Sequence, residues 1–254
     1  MHTGYLPSRL ADPEDVRKLI QQLRPANPGI DLVRIGAEGD GGYLVPDDLS
    51  GIGTCFSPGV GSVSAFEDAL AARGMRALLA DGSVDRPPMV GPRVEFQKRF
   101  LASVDDSGKG LMTLDSWVET AGEAASNGDL LLQMDIEGSE YEVIHSLSTN
   151  LLKRFRIIVV EFHELDRLIR SDCLRWMGGA LTKLLRFHRV VHIHPNNCST
   201  AVRYGPVEIP CIMEFTFLRS DRFVTQGRYK SFPNPLDRPN LENRPDLALP
   251  ASWW

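Results

Sequence analysis

Long hydrophobic runs are missing from this chain. No window approaches the ~18 uninterrupted apolar residues of a membrane-spanning helix, and the opening MHTGYLPSRLADPED has no apolar segment of secretory type. Four cysteines are present, Cys55, Cys173, Cys198 and Cys211, with no C-x-x-C pair among them. That scatter suits neither a zinc ribbon nor a disulfide framework, so buried structural thiols in a reducing compartment are expected. Positive charge is not in excess: the net charge is −5, which removes the global basic field that nucleic acid or an anionic membrane would attract. The basic residues Arg86, Arg93, Lys98 and Arg99 read as solvated surface. No G-x-x-x-x-G-K-[ST] occurs, so there is no phosphate-binding P-loop. These absences leave a cytoplasmic, non-spanning protein without a nucleic-acid partner. Its 254 residues, 43% of them hydrophobic, suffice for the core of one large α/β domain.

Signals along the chain alternate between strand and helix. DPEDVRKLIQQLRP predicts a helix with Asp12 as N-cap, Pro13 at its first position and Val16, Leu19, Ile20 and Leu23 as the apolar stripe. DLVRIGAEGDGGYLVP, with Gly39, Gly41 and Gly42 between two apolar stretches, predicts a hairpin or a ligand-approaching loop. Strands follow at TCF, MRALLAD, RVEFQ, DLLLQMDI, FRIIVVEFH, RVVHIH and CIMEFTFL; helices are predicted at SAFEDALAARG, LDSWVETAGEAA, YEVIHSLSTNLL and SDCLRWMGGALTKLLRF, the last weakened by Gly178 and Gly179. Near-continuous apolar strands between helices indicate a doubly wound, mostly parallel α/β sheet covered on both faces. Residues 1–29 form an N-terminal helical segment, 30–220 the main domain and 221–254 an arm with five prolines from Pro233 to Pro250, ending in Trp253 and Trp254. Packing of that arm on the domain or on a partner is one reading, and plain surface wrapping is the expected one.

In open α/β sheets, ligands bind beyond the carboxyl ends of the strands, at the topological switch point. The first strand-to-helix turn here is FSPGVGS, where Gly59 and Gly61 permit a close backbone approach, and Asp81 ends the next strand where an acid can hydrogen-bond a ribose diol. A dinucleotide fits poorly: Ser64 stands where the third glycine of G-x-G-x-x-G is needed, and Glu67 in the first helical turn opposes a pyrophosphate. S-adenosylmethionine (SAM) carries a sulfonium and an ammonium, which nearby acids favour. A helix-dipole charge accounts equally well for Glu67.

The run QMDIEGSEYEVI places Asp135, Glu137, Glu140 and Glu142 within eight residues. Ser139 and Glu142 have capping-box spacing, and Glu140 adds charge to the first turn, so these two glutamates need no catalytic role. Asp135 and Glu137 stay unexplained by local structure.

LLLQMDIEGSEYEVI, together with DGGYLVP, SPGVGSVSAFE, LLAD, MTLDSWV, VVEFHEL, HIHPNN and MEFTFLR, resembles the FkbM-like family of SAM-dependent methyltransferases over about residues 30–220. The resemblance implies a seven-stranded, Rossmann-like methyltransferase sheet and O-methylation of sugars or secondary-metabolite hydroxyls. It implies cofactor contacts at Ser57, Gly59, Gly61, Glu67 and Asp81. Many members have an aspartate just before the glycine turn; Ser57 occupies that region here, and Glu67 is expected to take over part of its task.

A hydroxyl acceptor, on a small molecule or a glycan, needs a general base or a metal to make it nucleophilic. Three successive strand ends supply candidates: Asp135 and Glu137, then Glu161 and His163, then His192, His194, Asn196 and Asn197. Either His163 or His194 acts as base with Asp135 and Glu161 orienting, or Asp135, Glu161 and a histidine such as His163 bind Mg²⁺ or Mn²⁺. Glu137, His192, Asn196 and Asn197 are then acceptor contacts. Structural roles compete: His192 and His194 as satisfied strand residues, Asn196-Asn197 as a turn. His188 reads as structural, and Glu214 as paired with an internal arginine or facing the site. The rival readings are a metal-dependent nucleotide-sugar glycosyltransferase, a nicotinamide oxidoreductase, and an inactive methyltransferase-like scaffold binding partners through its arm.

Overall fold

The computed structural model describes residues 9–254 except 62, 88, 123–127, 226 and 230. Helix α1 (Pro13–Gln22) begins as expected, with the Asp12 side chain accepting from Glu14 N. Strand β1 (Ala26–Asn27) follows, then a hairpin of β2 (Leu32–Gly36) and β3 (Gly42–Pro46). The central run is β4 (Ile52–Pro58), α2 (Ala65–Ala72), β5 (Arg76–Ala80), β6 (Val94–Gln97), the short β7 (Phe100–Leu101) and β8 (Leu111–Met112), and α3 (Leu114–Thr120). Part of the predicted LDSWVETAGEAA helix lies outside the described residues. Then come β9 (Asp129–Met134), α4 (Glu140–Ser146), α5 (Thr149–Leu152), β10 (Phe155–Phe162), α6 (Ser171–Leu185), β11 (His188–Pro195), the hairpin β12 (Ala201–Tyr204) and β13 (Val207–Pro210), β14 (Met213–Arg219) and β15 (Gly227–Arg228).

Seven strands form one sheet in the order β11-β14-β10-β9-β4-β5-β6. Only β14 is inverted, pairing antiparallel with β10 and β11. The chain winds from β4 outward through β5 to β6, then crosses to β9 on the other side of β4. The switch point therefore lies between β4 and β9. This is the doubly wound, mostly parallel, Rossmann-like sheet expected from the sequence.

Core packing explains why the strands read as apolar throughout. All eight residues of β10 are buried. On one face α1, α3, α4 and α6 pack on the sheet; on the other, Phe66 and Leu70 of α2 join Ile35, Tyr43 and Val45 of the β2–β3 hairpin. That second face is covered largely by a hairpin, and this brings the 37–41 turn beside the switch point.

One local expectation needs correction. The predicted helix over YEVIHSLSTNLL is broken at Leu147 (ψ 125°), and Ser148 starts α5 by accepting from Leu151 N. The Gly178-Gly179 pair does not interrupt α6. A Cβ at Gly179 would lie 3.0 Å from His145 Cε1, so the missing side chain serves close packing of α6 on α4. The segments at either end share the core of the sheet. Trp253 is fully buried, meets Phe215 at 6.0 Å and donates Nε1–H to Glu208 O, while β1 pairs with β15. Much more of the arm is integrated than surface wrapping implies. No helix among the described residues is long and apolar enough to cross a membrane.

Candidate active site

The carboxyl ends of β4 and β9 touch through backbone alone. Gly59 has φ +84°, and a Cβ there would fall 1.6 Å from Asp135 O. Only glycine allows this approach. At Gly61 the space is open, and its N–H donates to Asp81 Oδ2 at 2.9 Å. The other carboxylate oxygen of Asp81 accepts from Ser83 N (2.7 Å) and Ser83 Oγ (2.6 Å). Asp81 therefore holds the glycine turn in shape and also lines a cavity.

Two adjoining chambers open at this point, and Gly59, Gly61, Asp135 and Glu137 line both. The larger, about 470 Å³, is bordered by Asp81, Arg99, Phe100, Leu101, Ala102 and Ile136. The smaller, about 200 Å³, is bordered by Asp40, Tyr43, Val63, Phe66, Glu67 and Gln133. Its charged lining residues are all acids. Ser57 is fully buried behind the smaller chamber, within hydrogen-bond reach of Glu67 Oε1 and Gln133 Oε1 (2.6 Å for the latter), so it positions these two side chains. Burial pushes the Glu67 carboxyl up, against the Ser57 hydrogen bond.

Beside Asp135 lies a buried acid–histidine cluster. Glu161, near the end of β10, and His163, just beyond it, fall on one side by the period-two rule, with Glu161 Oε1 3.6 Å from His163 Nε2. The same nitrogen is 3.4 Å from Glu137 Oε2 and 3.9 Å from Asp135 Oδ1. Asn196 Nδ2 donates to Glu161 Oε1 at 3.1 Å. Burial raises Asp135 to about 7, with His163 acting the other way. Burial, reinforced by Asp135 and Glu214, raises Glu161 to about 9. For His163, burial disfavours the imidazolium, but the Glu140 hydrogen bond and the charges of Glu140, Asp135 and Glu161 outweigh it and raise the group to about 9.

The role of Glu140 was not foreseen. It is fully buried, and its Oε1 accepts from Ile136 N (3.2 Å) and Gly138 N (3.1 Å) and lies 3.1 Å from His163 Nδ1. Ser139 makes no side-chain cap, so the expected capping box with Glu142 does not form. The turn explains why. Glu137 has φ +56° and Gly138 φ +102°, a left-handed reversal that points the Ile136 and Gly138 amides at Glu140 instead. A non-glycine residue held at positive φ stores strain of the kind that collects at functional sites.

His192 and His194 do not reach the chambers. His192 Nε2 lies 2.9 Å from Asp237 Oδ1, both nearly fully buried. His194 Nε2 lies 3.2 Å from Asp246 Oδ1, with Glu214 3.8 Å from Nδ1. For His194, burial favours the neutral ring, but the hydrogen bonds with Asp246 and Glu214 raise it to about 10. Asn197 donates to Leu241 O and accepts from Leu241 N. The arm thus occupies this rim. Glu214 accepts from Asn240 Nδ2 at 2.6 Å rather than from an arginine. His188 is structural as expected, with Nε2 2.7 Å from Phe155 O.

The sequence model of the methyltransferase FkbM domain matches residues 102–179. No curated protein matches the chain. Among solved structures, the N-methyltransferase NodS from Bradyrhizobium japonicum WM9 is 12% identical over 67% of this chain and 88% of its own, with a TM-score of 0.36. A 16S rRNA (adenine(1408)-N(1))-methyltransferase from Catenulisporales acidiphilia is 11% identical over 74% and 98%, at 0.32. The mitomycin 7-O-methyltransferase MmcR is 15% identical over 68% of this chain and 50% of its own, at 0.27. Likeness this distant carries no argument for substrate or reaction; the fold rests on its own strand order. Asp135, Glu137, Glu140, Glu161 and His163 all fall within the residues that the methyltransferase FkbM domain model matches.

Proposed function

We propose that the protein is a SAM-dependent O-methyltransferase acting on a hydroxyl of a sugar, glycolipid, or glycosylated or polyketide secondary metabolite. The observation that carries this reading is the pair of chambers joined at Gly59, Gly61, Asp135 and Glu137 over the switch point. The larger chamber, with apolar Phe100, Leu101, Ala102 and Ile136 beside Asp81, suits an adenine ring and a ribose diol. The smaller, with Asp40, Glu67 and Asp135, suits a sulfonium and an ammonium. A nucleotide-sugar or nicotinamide cofactor would bring a pyrophosphate to a lining with one cation, Arg99, in the larger chamber and none in the smaller among the described residues. Trp253 is buried in the chain's own core, which argues against the arm as a free docking tail.

Transfer is an in-line displacement. The acceptor oxygen forms the new C–O bond as the C–S bond breaks and its electron pair returns to sulfur. Alignment supplies much of the catalysis. Activation of the hydroxyl falls to Asp135, Glu161 and His163, as proton acceptors or as holders of a divalent cation such as Mg²⁺ or Mn²⁺. The test is transfer of a labelled methyl group from SAM to a panel of sugar, glycolipid and polyketide acceptors. Label on a hydroxyl oxygen is expected; label on nitrogen or carbon, or no transfer to any acceptor, contradicts the reading.

A further inference from the structure

We infer that Ser139 and Glu142 read the polar edge of the nucleobase in the larger chamber, and that Glu142 selects adenine by accepting from its exocyclic amino group. The inference rests on the methyltransferase reading and adds to it the residues that choose the base.

These are the two residues of the capping box that does not form. Ser139 makes no side-chain cap on α4, and Glu140 takes the amides of the turn in its place. Both side chains border the larger chamber instead, and both residues are partly exposed. Among the described residues neither side chain has a hydrogen-bond or ion-pair partner. They are therefore free to serve a ligand.

Their place in the chamber decides which part of the ligand they meet. Gly59, Gly61, Asp135 and Glu137 border both chambers and so mark the junction, on the sulfonium side. Asp81, which also holds the glycine turn, faces the ribose. Ser139 and Glu142 border the larger chamber alone, together with apolar Phe100, Leu101, Ala102 and Ile136. A base lying among those apolar side chains has its polar edge toward Ser139 and Glu142.

A second observation independently calls for a flat ring. Phe100 is 49% exposed, and it lies so close to Gly82 that a Cβ there would fall 2.4 Å from Phe100 Cδ2. An exposed aromatic ring on a chamber wall offers a base a stacking surface.

The donor and acceptor pattern then selects the base. A carboxylate only accepts hydrogen bonds. Adenine presents an amino group at C6, whereas guanine and hypoxanthine present an oxygen, which a carboxylate repels. The Ser139 hydroxyl both donates and accepts, so it completes the contact at the neighbouring ring nitrogen without choosing between bases. Selection falls to Glu142.

The test is calorimetric titration of the intact chain with S-adenosylhomocysteine and with its 6-oxo counterpart, S-inosylhomocysteine. Wild type should prefer the amino form by about 10–100-fold, the worth of one hydrogen bond to a charged group. In Glu142→Gln the side-chain amide can donate to an oxygen as well as accept from an amine, so the two affinities should come within about threefold of each other. Ser139→Ala should weaken both ligands alike, by about 2–10-fold. Neither side chain has a partner in the chain to lose, so both variants should fold as wild type does. Equal affinity of wild type for the two ligands, or an undiminished preference in Glu142→Gln, overturns the assignment and leaves the methyltransferase reading standing. Binding of neither ligand by wild type removes both.

Discussion

Gly59 and the carbonyl oxygen of Asp135 are packed so closely that a Cβ on Gly59 would lie 1.6 Å from that oxygen. The contact sets the distance between the turn that lines both chambers and the strand end that carries the acid–histidine cluster. Gly59→Ala must therefore push β4 and β9 apart. It is expected to abolish SAM binding and to lower stability by several kcal/mol, beyond the ~1 kcal/mol typical of single substitutions. At Gly61 an added Cβ meets nothing within 4 Å, although φ is +52°. Gly61→Ala should cost about 1–2 kcal/mol for the left-handed backbone and mainly obstruct the ligand. Calorimetric melting with SAM titration separates the two variants.

Asp81 links the glycine turn to the wall of the larger chamber. Asp81→Ala removes the acceptor for Gly61 N, Ser83 N and Ser83 Oγ as well as the assigned ribose contact. Hydrogen bonds to charged groups are worth about 1.5–3 kcal/mol, so a loss of SAM affinity of roughly tenfold or more is expected. Unimpaired binding in the variant would remove the ribose assignment.

Much of the sheet was legible because burial of both strand faces leaves apolar runs, and because caps such as Asp12 with Pro13 act locally. Glu140 was not legible. Which of the neighbouring acids at 140 and 142 turns inward depends on the left-handed turn at Glu137 and on His163 arriving from β10. The histidine pair on β11 misled for the same reason. Its partners Asp237 and Asp246 lie more than forty residues away in a proline-rich segment with no periodic pattern.

Two histidines outside the Asp135–Glu161–His163 cluster contribute to the pH dependence of stability in opposite directions. Burial lowers His188 to about 4 from 6.5, against its hydrogen bond to Phe155. Between those values the unfolded chain binds more protons, so stability falls as pH falls, by on the order of 2–3 kcal/mol. His194 is raised to about 10; its contribution is complete below ~6.5 and is lost as pH rises through about 10. Urea unfolding from pH 4 to 10 should show both limbs. His188→Gln should flatten the acid limb and Asp246→Asn the alkaline one. Unchanged limbs would contradict these assignments.

Trp253 anchors the arm to the sheet through Phe215 and Glu208 O. Trp253→Ala should cost about 3–5 kcal/mol, the usual range for a buried aromatic. A loss under ~0.5 kcal/mol in urea denaturation, the level of surface substitutions, would show that the arm is only loosely attached.

The central claim is that the joined chambers hold SAM. Isothermal titration of the intact chain with S-adenosylhomocysteine, NAD and a UDP-sugar in parallel tests it most directly. Saturable binding of S-adenosylhomocysteine, one per chain, with no heat from the two pyrophosphates, is the predicted result. Binding of NAD or the UDP-sugar with none of S-adenosylhomocysteine would contradict it.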